Sequence, residues 1–500
     1  MKLGRLLEGV TVSKLFQMMY GRLMVTQDIE VRKLQYDSRH VEPNDCFVAI
    51  RGTGTDGHKF IEPAISKGAS VIVLQNEAAL PDALSMHAGV VKLVVPDSRK
   101  ALAMMSANYF DHPSRKLTMV GVTGTNGKTT TTHIVRSILE AAGQRVGLIG
   151  TIEYKIGDTV IPATHTTPES LELNELLARM VQSGCTSISM EVSSHALQQS
   201  RVYGLEYDVA VFTNLTQDHL DYHGTMDEYF RAKRLLFEGL TPDACAVTNL
   251  DDEWASKMTI PSATSRLTYG VTAPADVWAS DVELSMRGTS LTVNFKGRQT
   301  AISSPLVGRF NVYNILAAFT AGLALDIPRE TIATGIANVK SVRGRFERIP
   351  SPKGWTAIVD YAHTPDALEK CLRAIHDILP TKNRGKVITV FGAGGDRDRT
   401  KRPLMGEVVS SLSDLSIVTS DNPRTEDPQR IIDDIVRGIT NSAEAIQVLD
   451  RRAAIKKAIG LAGRGDVILI AGKGHEDYQV IGKEKRHFSD REIVEELINT

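Results

Sequence analysis

The stretch Val120-Gly121-Val122-Thr123-Gly124-Thr125-Asn126-Gly127-Lys128-Thr129-Thr130 decides how the rest of the chain reads. Met119 to Val122 is a short apolar run of the kind that forms a buried strand. Two glycines, a lysine and several hydroxyls follow. Ile134, Val135, Ile138, Leu139 and Ala142 then recur at helical spacing until Gly143 stops them. Strand, glycine-rich turn and helix, in that order, make a phosphate cradle. Gly124 and Gly127 let backbone N–H groups close on phosphate oxygens, and the helix N-terminus adds its dipole. Lys128 is placed to reach the terminal phosphates of a nucleotide, and Thr129 to hold Mg2+. Thr125, Asn126 and Thr130 complete the loop. Val122 stands where the usual pattern has its first glycine, and a plain strand-to-helix turn is the alternative reading.

Outward from this loop, 500 residues exceed what one hydrophobic core holds, so about three domains are expected. Lys and Arg number 58 against 59 Asp and Glu, a net charge of −1. No global field then favours nucleic acid or a membrane surface, and any anion must be held by local groups. Cys46, Cys185, Cys245 and Cys371 are scattered without a CxxC pair, which argues against a disulfide framework or a thiolate zinc site and suits a reducing cytoplasm. Met1-Lys2-Leu3-Gly4-Arg5 leads into no long apolar region, and no apolar run approaches the ~20 residues of a spanning helix.

Before the loop, residues 45–50, 70–74 and 90–95 read as strands, and 60–67 and 101–109 as helices. Phe110-Asp111-His112-Pro113-Ser114 breaks the pattern and marks a domain boundary. Tyr36 to Arg39 and Arg51 to His58 are polar and turn-like; such loops can hold a diphosphate or nucleoside, or be turns alone. After the loop, strands at 187–190, 209–213 and 244–248 keep an α/β rhythm. The first ends in Glu191, Ser193, Ser194 and His195, and the second in Asn214, Asp218 and His219. Ligands of doubly wound sheets sit at the carboxyl ends of strands, so Glu191 and His219 are expected to share a crevice with Lys128 and to complete the coordination of a nucleotide-bound Mg2+. His195 reads equally as a scaffold histidine, and the His219/His223 pair could suggest zinc but lacks further ligands at zinc spacing. Residues after Val277 alternate as a hairpin-rich insertion, followed by an alanine-rich helix over 315–325 and a second boundary near Arg343. The last part offers four strands with polar tips: Asp360 to His363, Gly392 to Arg397, Ser420 to Arg424, and Gly472 to Glu476. Gly392-Ala393-Gly394-Gly395 lacks the spacing of a dinucleotide fingerprint.

Five motifs together resemble the Mur ligase family: Gly124 to Thr130, Glu191-Val192-Ser193-Ser194-His195, Asp218-His219-Leu220-Asp221-Tyr222-His223, Asn311-Val312-Tyr313-Asn314, and Asp360-Tyr361-Ala362-His363-Thr364-Pro365-Asp366. They occur in the family's order and span nearly the whole chain. The resemblance implies an α/β protein of three domains. Residues 1–112 would form a smaller α/β domain that binds a UDP-linked precursor. Residues 113–342 would form a central phosphate-loop domain with a mostly parallel sheet, and residues 343–500 a Rossmann-like domain for an amino acid. Asp421-Asn422-Pro423-Arg424 resembles the motif of those members that add meso-2,6-diaminopimelate to UDP-N-acetylmuramoyl-L-alanyl-D-glutamate in peptidoglycan precursor synthesis.

That resemblance assigns further residues. Asn311 or Asn314 and Arg345 would lie near the base of ATP, and Asp360 near its ribose. Ser38, Thr53, Gly54, Thr55, Thr166, Thr167, Ser193 and Arg201 would meet the UDP precursor, and Arg397, Asp421 to Arg424, Gly472 and Glu476 the diaminopimelate. Lys233 would be carbamoylated, because an ammonium repels Mg2+ whereas its CO2 adduct offers an anionic oxygen; read bare, it is a surface helix lysine. Diaminopimelate differs from lysine by a second carboxylate, which the Arg424 fork can grip, or Arg424 is a turn arginine in a surface ion pair. The implied protein is a cytoplasmic monomer that uses ATP and Mg2+ and inserts in no membrane. The rivals are a folylpolyglutamate synthase-like ligase, which would lack the long N-terminal domain and the Arg424 tip, and a non-catalytic nucleotide-binding switch.

Overall fold

A computed structural model describes residues 1–16, 18, 19, 22, 23, 29–52, 54–272, 274–380, 384–439 and 445–498. The chain is α/β throughout, and its strands gather into sheets of five, eleven and six strands, met in that order along the sequence. Thr53 lies outside the described residues.

The central sheet is built around the phosphate-loop strand, Thr118–Thr123, which runs parallel to Ser187–Glu191 on one side and Val209–Phe212 on the other. These strands are buried on both faces, as parallel strands under helices must be, although Ser187–Glu191 sets Ser187, Ser189 and Glu191 among Ile188 and Met190. Register puts Glu191 beside Val122 and Phe212 beside Thr123, so both neighbours end level with the phosphate loop. The helix Lys128–Ala141 then opens directly from Gly127. On one face it packs with the apolar helix Arg309–Ala324 through Ile134, Ile138, Ile315 and Phe319. That helix begins earlier than its alanine-rich stretch suggested, so Asn311 and Asn314 lie on its first turns. The opposite face of the sheet is covered by Ser170–Gln182 and Met226–Glu238.

The alternating residues after Val277 do form hairpins, Val277–Ser285, Gly288–Phe295 and Arg298–Ser304, but they are not a separate insertion. Tyr269 and Gly270 pair with Val277 and Trp278, and the meander extends the central sheet to its edge. The reason is burial. Val277, Ala279, Leu291, Val293 and Ile302 share one core with the phosphate-loop helix.

The C-terminal sheet runs in the order Glu347–Pro350, Thr356–Asp360, Val467–Ala471, Val387–Phe391, Leu415–Val418, Ala445–Gln447, all parallel except the first. Parallel pairing brings the four polar tips to one end. A two-stranded hairpin, Tyr478–Ile481 with Glu484–His487, follows the last of these tips. In the N-terminal sheet, Leu34–Gln35, Cys46–Ala49, Val71–Leu74 and Val91–Val94 are parallel, and Lys14–Phe16 pairs antiparallel at the edge.

Polar bonds join the three larger sheets. Tyr36 donates to Glu172 at 2.6 Å, and Arg99 pairs with Glu169 at 3.4 Å, joining the N-terminal part to the centre. Arg345 donates to Thr129 Oγ1 and Thr216 to Asp366, joining the centre to the C-terminal part at 3.2 and 3.3 Å. Among the described residues no helix is long and apolar enough to cross a membrane.

Candidate active site

The phosphate loop is held from below by the strand beside it. Thr125 N donates to the Asn214 carbonyl at 2.8 Å, Asn126 N to Asn214 Oδ1 at 3.0 Å, and Thr213 Oγ1 to the Asn126 carbonyl at 2.7 Å. Gly124 and Gly127 both have positive φ, 148° and 87°. A Cβ on Gly124 would lie 1.9 Å from Thr213 Oγ1, and one on Gly127 would lie 2.3 Å from Asn314 Oδ1. Both positions therefore need glycine for conformation and for space.

Lys128 Nζ donates to the carbonyls of Gly124 and Thr125 at 3.0 and 2.8 Å. Burial pushes its pKa down, while Glu191 and Asp218 oppose that shift. Glu191, 1% exposed, accepts from Thr151 N at 2.8 Å and from Thr151 Oγ1 at 3.1 Å.

Lys233 corrects its bare reading: it is buried, not a surface lysine. Its side chain is 1% exposed and its Nζ donates to the Gly124 carbonyl at 2.8 Å. Burial first, then the Lys128 charge, hold its pKa well below the usual lysine range. Its amine lies 4.4 Å from the centre of the Tyr229 ring. His219 adopts φ 54° and sits 3.5 Å from Asp218, edge-on to His195 with ring centres 4.9 Å apart. Burial lowers its pKa. His223 does not point to a metal; its Nε2 meets Ser194 Oγ at 3.0 Å inside the protein.

From the C-terminal part, Arg345 reaches Thr129 and lies 4.8 Å above the Tyr361 ring. Asp360 accepts from Phe346 N at 2.6 Å and Ala362 N at 2.7 Å, and burial raises its pKa. A cavity of about 1190 Å³ is lined by residues 125–130, Thr166, Thr167, Glu191, Ser193, Arg201, His219, Lys233, Asn314, Arg345 and Asp360. Asn311 does not line it. Asn311 is buried, donates to the Val307 carbonyl, and accepts from Asn314 Nδ2 at 2.8 Å, so it holds Asn314 in place.

Around the carboxyl end of Ser187–Glu191, Thr167 Oγ1 donates to the Glu191 carbonyl and accepts from Ser193 N, at 2.8 and 3.1 Å. Thr166 meets Thr151 at 3.0 Å, and Arg201 pairs with Glu169 at 2.9 Å. Ser38 is half-buried at the start of a 3-10 turn, and Gly54 and Thr55 are exposed; none of the three lines the cavity.

A second cluster also lies outside the cavity lining. Asp421, Asn422 and Pro423 are buried, and Arg424 has φ 53°. Arg424 donates through Nη1 to the Gly395 carbonyl at 2.7 Å. Its guanidinium thus lies on backbone and is not in a surface ion pair. Arg397 beside it is exposed. A Cβ on Gly472 would meet Asp421 Oδ2 at 2.5 Å, and Glu476 accepts from Asn422 Nδ2 at 2.9 Å.

Residue patterns missed Thr151, Tyr229 and Lys473. Thr151 and Tyr229 line the cavity, and Lys473 is fully buried in the second cluster. Tyr229, Lys233 and Phe237 recur at helical spacing on the buried face of Met226–Glu238, and that periodicity was the available signal for both Tyr229 and Lys233.

A phosphate loop at the carboxyl end of a parallel sheet, flanked by an acidic group, a buried lysine and an arginine that comes just before the C-terminal sheet, defines a nucleotide-phosphate-binding α/β protein with three main sheets among the described residues. The chain belongs to the Mur ligase family. Residues 30–110 match the family's catalytic domain, 122–322 its middle domain, and 344–474 its glutamate ligase domain. It is 46% identical to the UDP-N-acetylmuramoyl-L-alanyl-D-glutamate–2,6-diaminopimelate ligase of Clostridium tetani, covering 96% of this chain and 97% of that one. The enzyme of the same name from Clostridium botulinum is 46% identical over 94% of this chain and 95% of its own. A solved structure with that name superposes with TM-score 0.68 at 33% identity, covering 95% of this chain and 96% of the other.

Proposed function

We propose that the protein is an ADP-forming ligase that adds meso-2,6-diaminopimelate to the D-glutamate of UDP-N-acetylmuramoyl-L-alanyl-D-glutamate, a step of peptidoglycan precursor synthesis. The observation that carries this reading is a phosphate loop and an Asp421-Asn422-Pro423-Arg424 tip in one chain that is 46% identical, over 96% of its length, to a ligase of that name.

Residues 1–112 receive the UDP precursor, 113–342 ATP, and 343–500 the amino acid. A carboxylate oxygen of the D-glutamyl residue attacks the γ-phosphorus of ATP and ADP leaves, giving an acyl phosphate. The amine of diaminopimelate then attacks the acyl carbon, and phosphate departs from the tetrahedral adduct with formation of the amide. Lys128, with residues 124–130 around it, neutralises charge on the transferring group. Asn314 and Arg345 position the nucleotide, with Asp360 toward its ribose; Asn311 acts through Asn314. Ser38, the loop 53–55, Thr166, Thr167, Ser193 and Arg201 hold the precursor.

Thr129, Glu191, His219 and a carbamoylated Lys233 would hold Mg2+. Their chemistry fits: Thr129 offers a hydroxyl and Glu191 a buried carboxylate in the cavity beside Lys128, and Mg2+ is commonly held by one or two carboxylates together with substrate phosphates. When bound, the ion supplies positive charge to the phosphoryl oxygens. Lys233 is suited to carbamoylation because its depressed pKa favours the neutral amine that adds CO2.

Arg397, Asp421 to Arg424, Gly472 and Glu476 receive diaminopimelate. We read it as a monomer acting in the cytoplasm, a reading supported by the three faces carried on one chain and by the use of ATP and a nucleotide-linked precursor. The test is ADP release from purified protein given ATP, Mg2+ and the UDP-linked dipeptide, with diaminopimelate or glutamate as amine. Release that depends on diaminopimelate supports the reading. Release with glutamate would favour a folylpolyglutamate synthase-like ligase, and nucleotide binding without amine-dependent release would favour a switch.

A further inference from the structure

Lys473 is a lysine with no exposed surface, at the tip that follows Val467–Ala471. Its ammonium donates to Glu476 Oε2 at 3.1 Å and to Asn422 Oδ1 at 3.2 Å, and lies 3.9 Å from Asp421 Oδ1. A second donor, Val480 N, reaches the same Asn422 oxygen at 2.9 Å. Two donors on Oδ1 fix the orientation of the amide, so that Nδ2 faces Glu476 Oε2 at 2.9 Å. Glu476 is thus held by a lysine and an amide whose own positions are fixed.

The charges count in the same direction. Lys473 faces two carboxylates, Asp421 and Glu476. The next buried cation, Arg451, is matched by Asp490 at 2.7 Å. His475 is kept neutral by burial and by Arg345, Arg343 and Lys473, its pKa pushed down to about 3. Around Asn422 Oδ1 and Glu476, one ammonium against two carboxylates leaves one unit of negative charge, the complement of an amino-acid ammonium, while Arg424 of the same site is read above with the far carboxylate.

We propose that Lys473 is a positioning residue for the incoming amino acid: it orients Asn422 and Glu476 and sets the net charge of their pocket to receive one ammonium. This rests on the ligase reading above. Among the described residues the ammonium of Lys473 is paired with Asn422, Glu476 and Asp421, none of which lines the cavity around the phosphate loop.

The test is steady-state kinetics for all three substrates in wild type, Lys473→Gln, Asp421→Asn and the double variant. Lys473→Gln should raise KM for diaminopimelate by at least about ten-fold, the worth of a hydrogen bond to a charged group, with KM for ATP and for the UDP-linked dipeptide within about two-fold. The double variant removes one positive and one negative charge. It should recover part of the lost affinity, or of the fold if Lys473→Gln alone does not fold, so the two losses are not additive. An unchanged KM for diaminopimelate in Lys473→Gln overturns the assignment, as do additive losses or a double variant that folds no better than an unfolded single one. A wild type that makes product while the variants give these results refutes Lys473 alone. A wild type that makes none with diaminopimelate refutes the ligase reading and this assignment with it.

Discussion

Lys128 and Lys233 donate to the same carbonyl, that of Gly124, at 3.0 and 2.8 Å. Two buried amines on one oxygen disfavour two full charges, and the shift on Lys233 is the larger in kind, well below its ordinary range. Lys233→Ala should therefore cost turnover at least about a hundred-fold through loss of an electrostatic group at the phosphates, with the dipeptide KM little changed. Activity of the wild type should fall in rigorously CO2-free buffer and return on adding bicarbonate. A variant with normal turnover removes Lys233 from the site. A pH test belongs at this scale too. Burial holds His133, on the phosphate-loop helix, at a pKa of about 3 against an ordinary 6.5. Between those values the unfolded chain binds a proton that the folded ring refuses, so this share of stability is complete above 6.5 and is lost as pH falls toward 3. Denaturant midpoints at pH 4, 5 and 7 should drop less on acidification in His133→Gln than in wild type, and equal drops would contradict the assignment. The phosphate loop was legible because its geometry is local: strand, glycines and helix lie within a few residues. Lys473 was not legible, since its partners Asp421 and Asn422 come from a distant part of the chain.

At the scale of elements, two turns from distant parts of the chain meet backbone to backbone. Gly344 has φ 64° and a Cβ there would lie 2.0 Å from His475 N; Gly474 has φ 52° and its Cβ would lie 2.7 Å from the Gly344 carbonyl oxygen. Each glycine stands beside a residue that reaches a different cluster. Arg345 donates to Thr129 in the phosphate loop, and Lys473 to Asn422 and Glu476. Gly474→Ala forces these turns apart. Its kcat/KM should fall at least about ten-fold, with KM raised for both ATP and diaminopimelate, because a small displacement of positioned groups is costly to the reaction. A rise for the amine alone would show that the contact does not serve the nucleotide side. The sequence marked Arg343 as a boundary and Gly472 to Glu476 as a tip, but nothing in either stretch says that they touch. The meander after Val277 shows the same limit. Its alternation was plain, whereas its place as the edge of the central sheet depends on a two-residue pairing with Tyr269 and Gly270.

For the whole molecule, the class of fold was readable from the rhythm of apolar runs and helical stretches, since each sheet is assembled from units of that kind. How the sheets face one another was not, because residues far apart in the sequence join them, Tyr36 with Glu172 and Thr216 with Asp366 among them. The candidate site follows the same division. The cavity gathers residues from the central sheet and from Arg345 and Asp360 beyond it, while the Arg424 cluster stays outside its lining. The reaction needs the acid at the first of these to meet an amine delivered from the second. The measurement closest to that claim compares amines: purified protein is given ATP, Mg2+ and UDP-N-acetylmuramoyl-L-alanyl-D-glutamate with either meso-2,6-diaminopimelate or lysine. If Arg424 grips the second carboxylate as proposed, lysine would leave that fork unpaired, and kcat/KM should favour diaminopimelate by at least about a hundred-fold. Product from lysine at comparable efficiency would contradict the account.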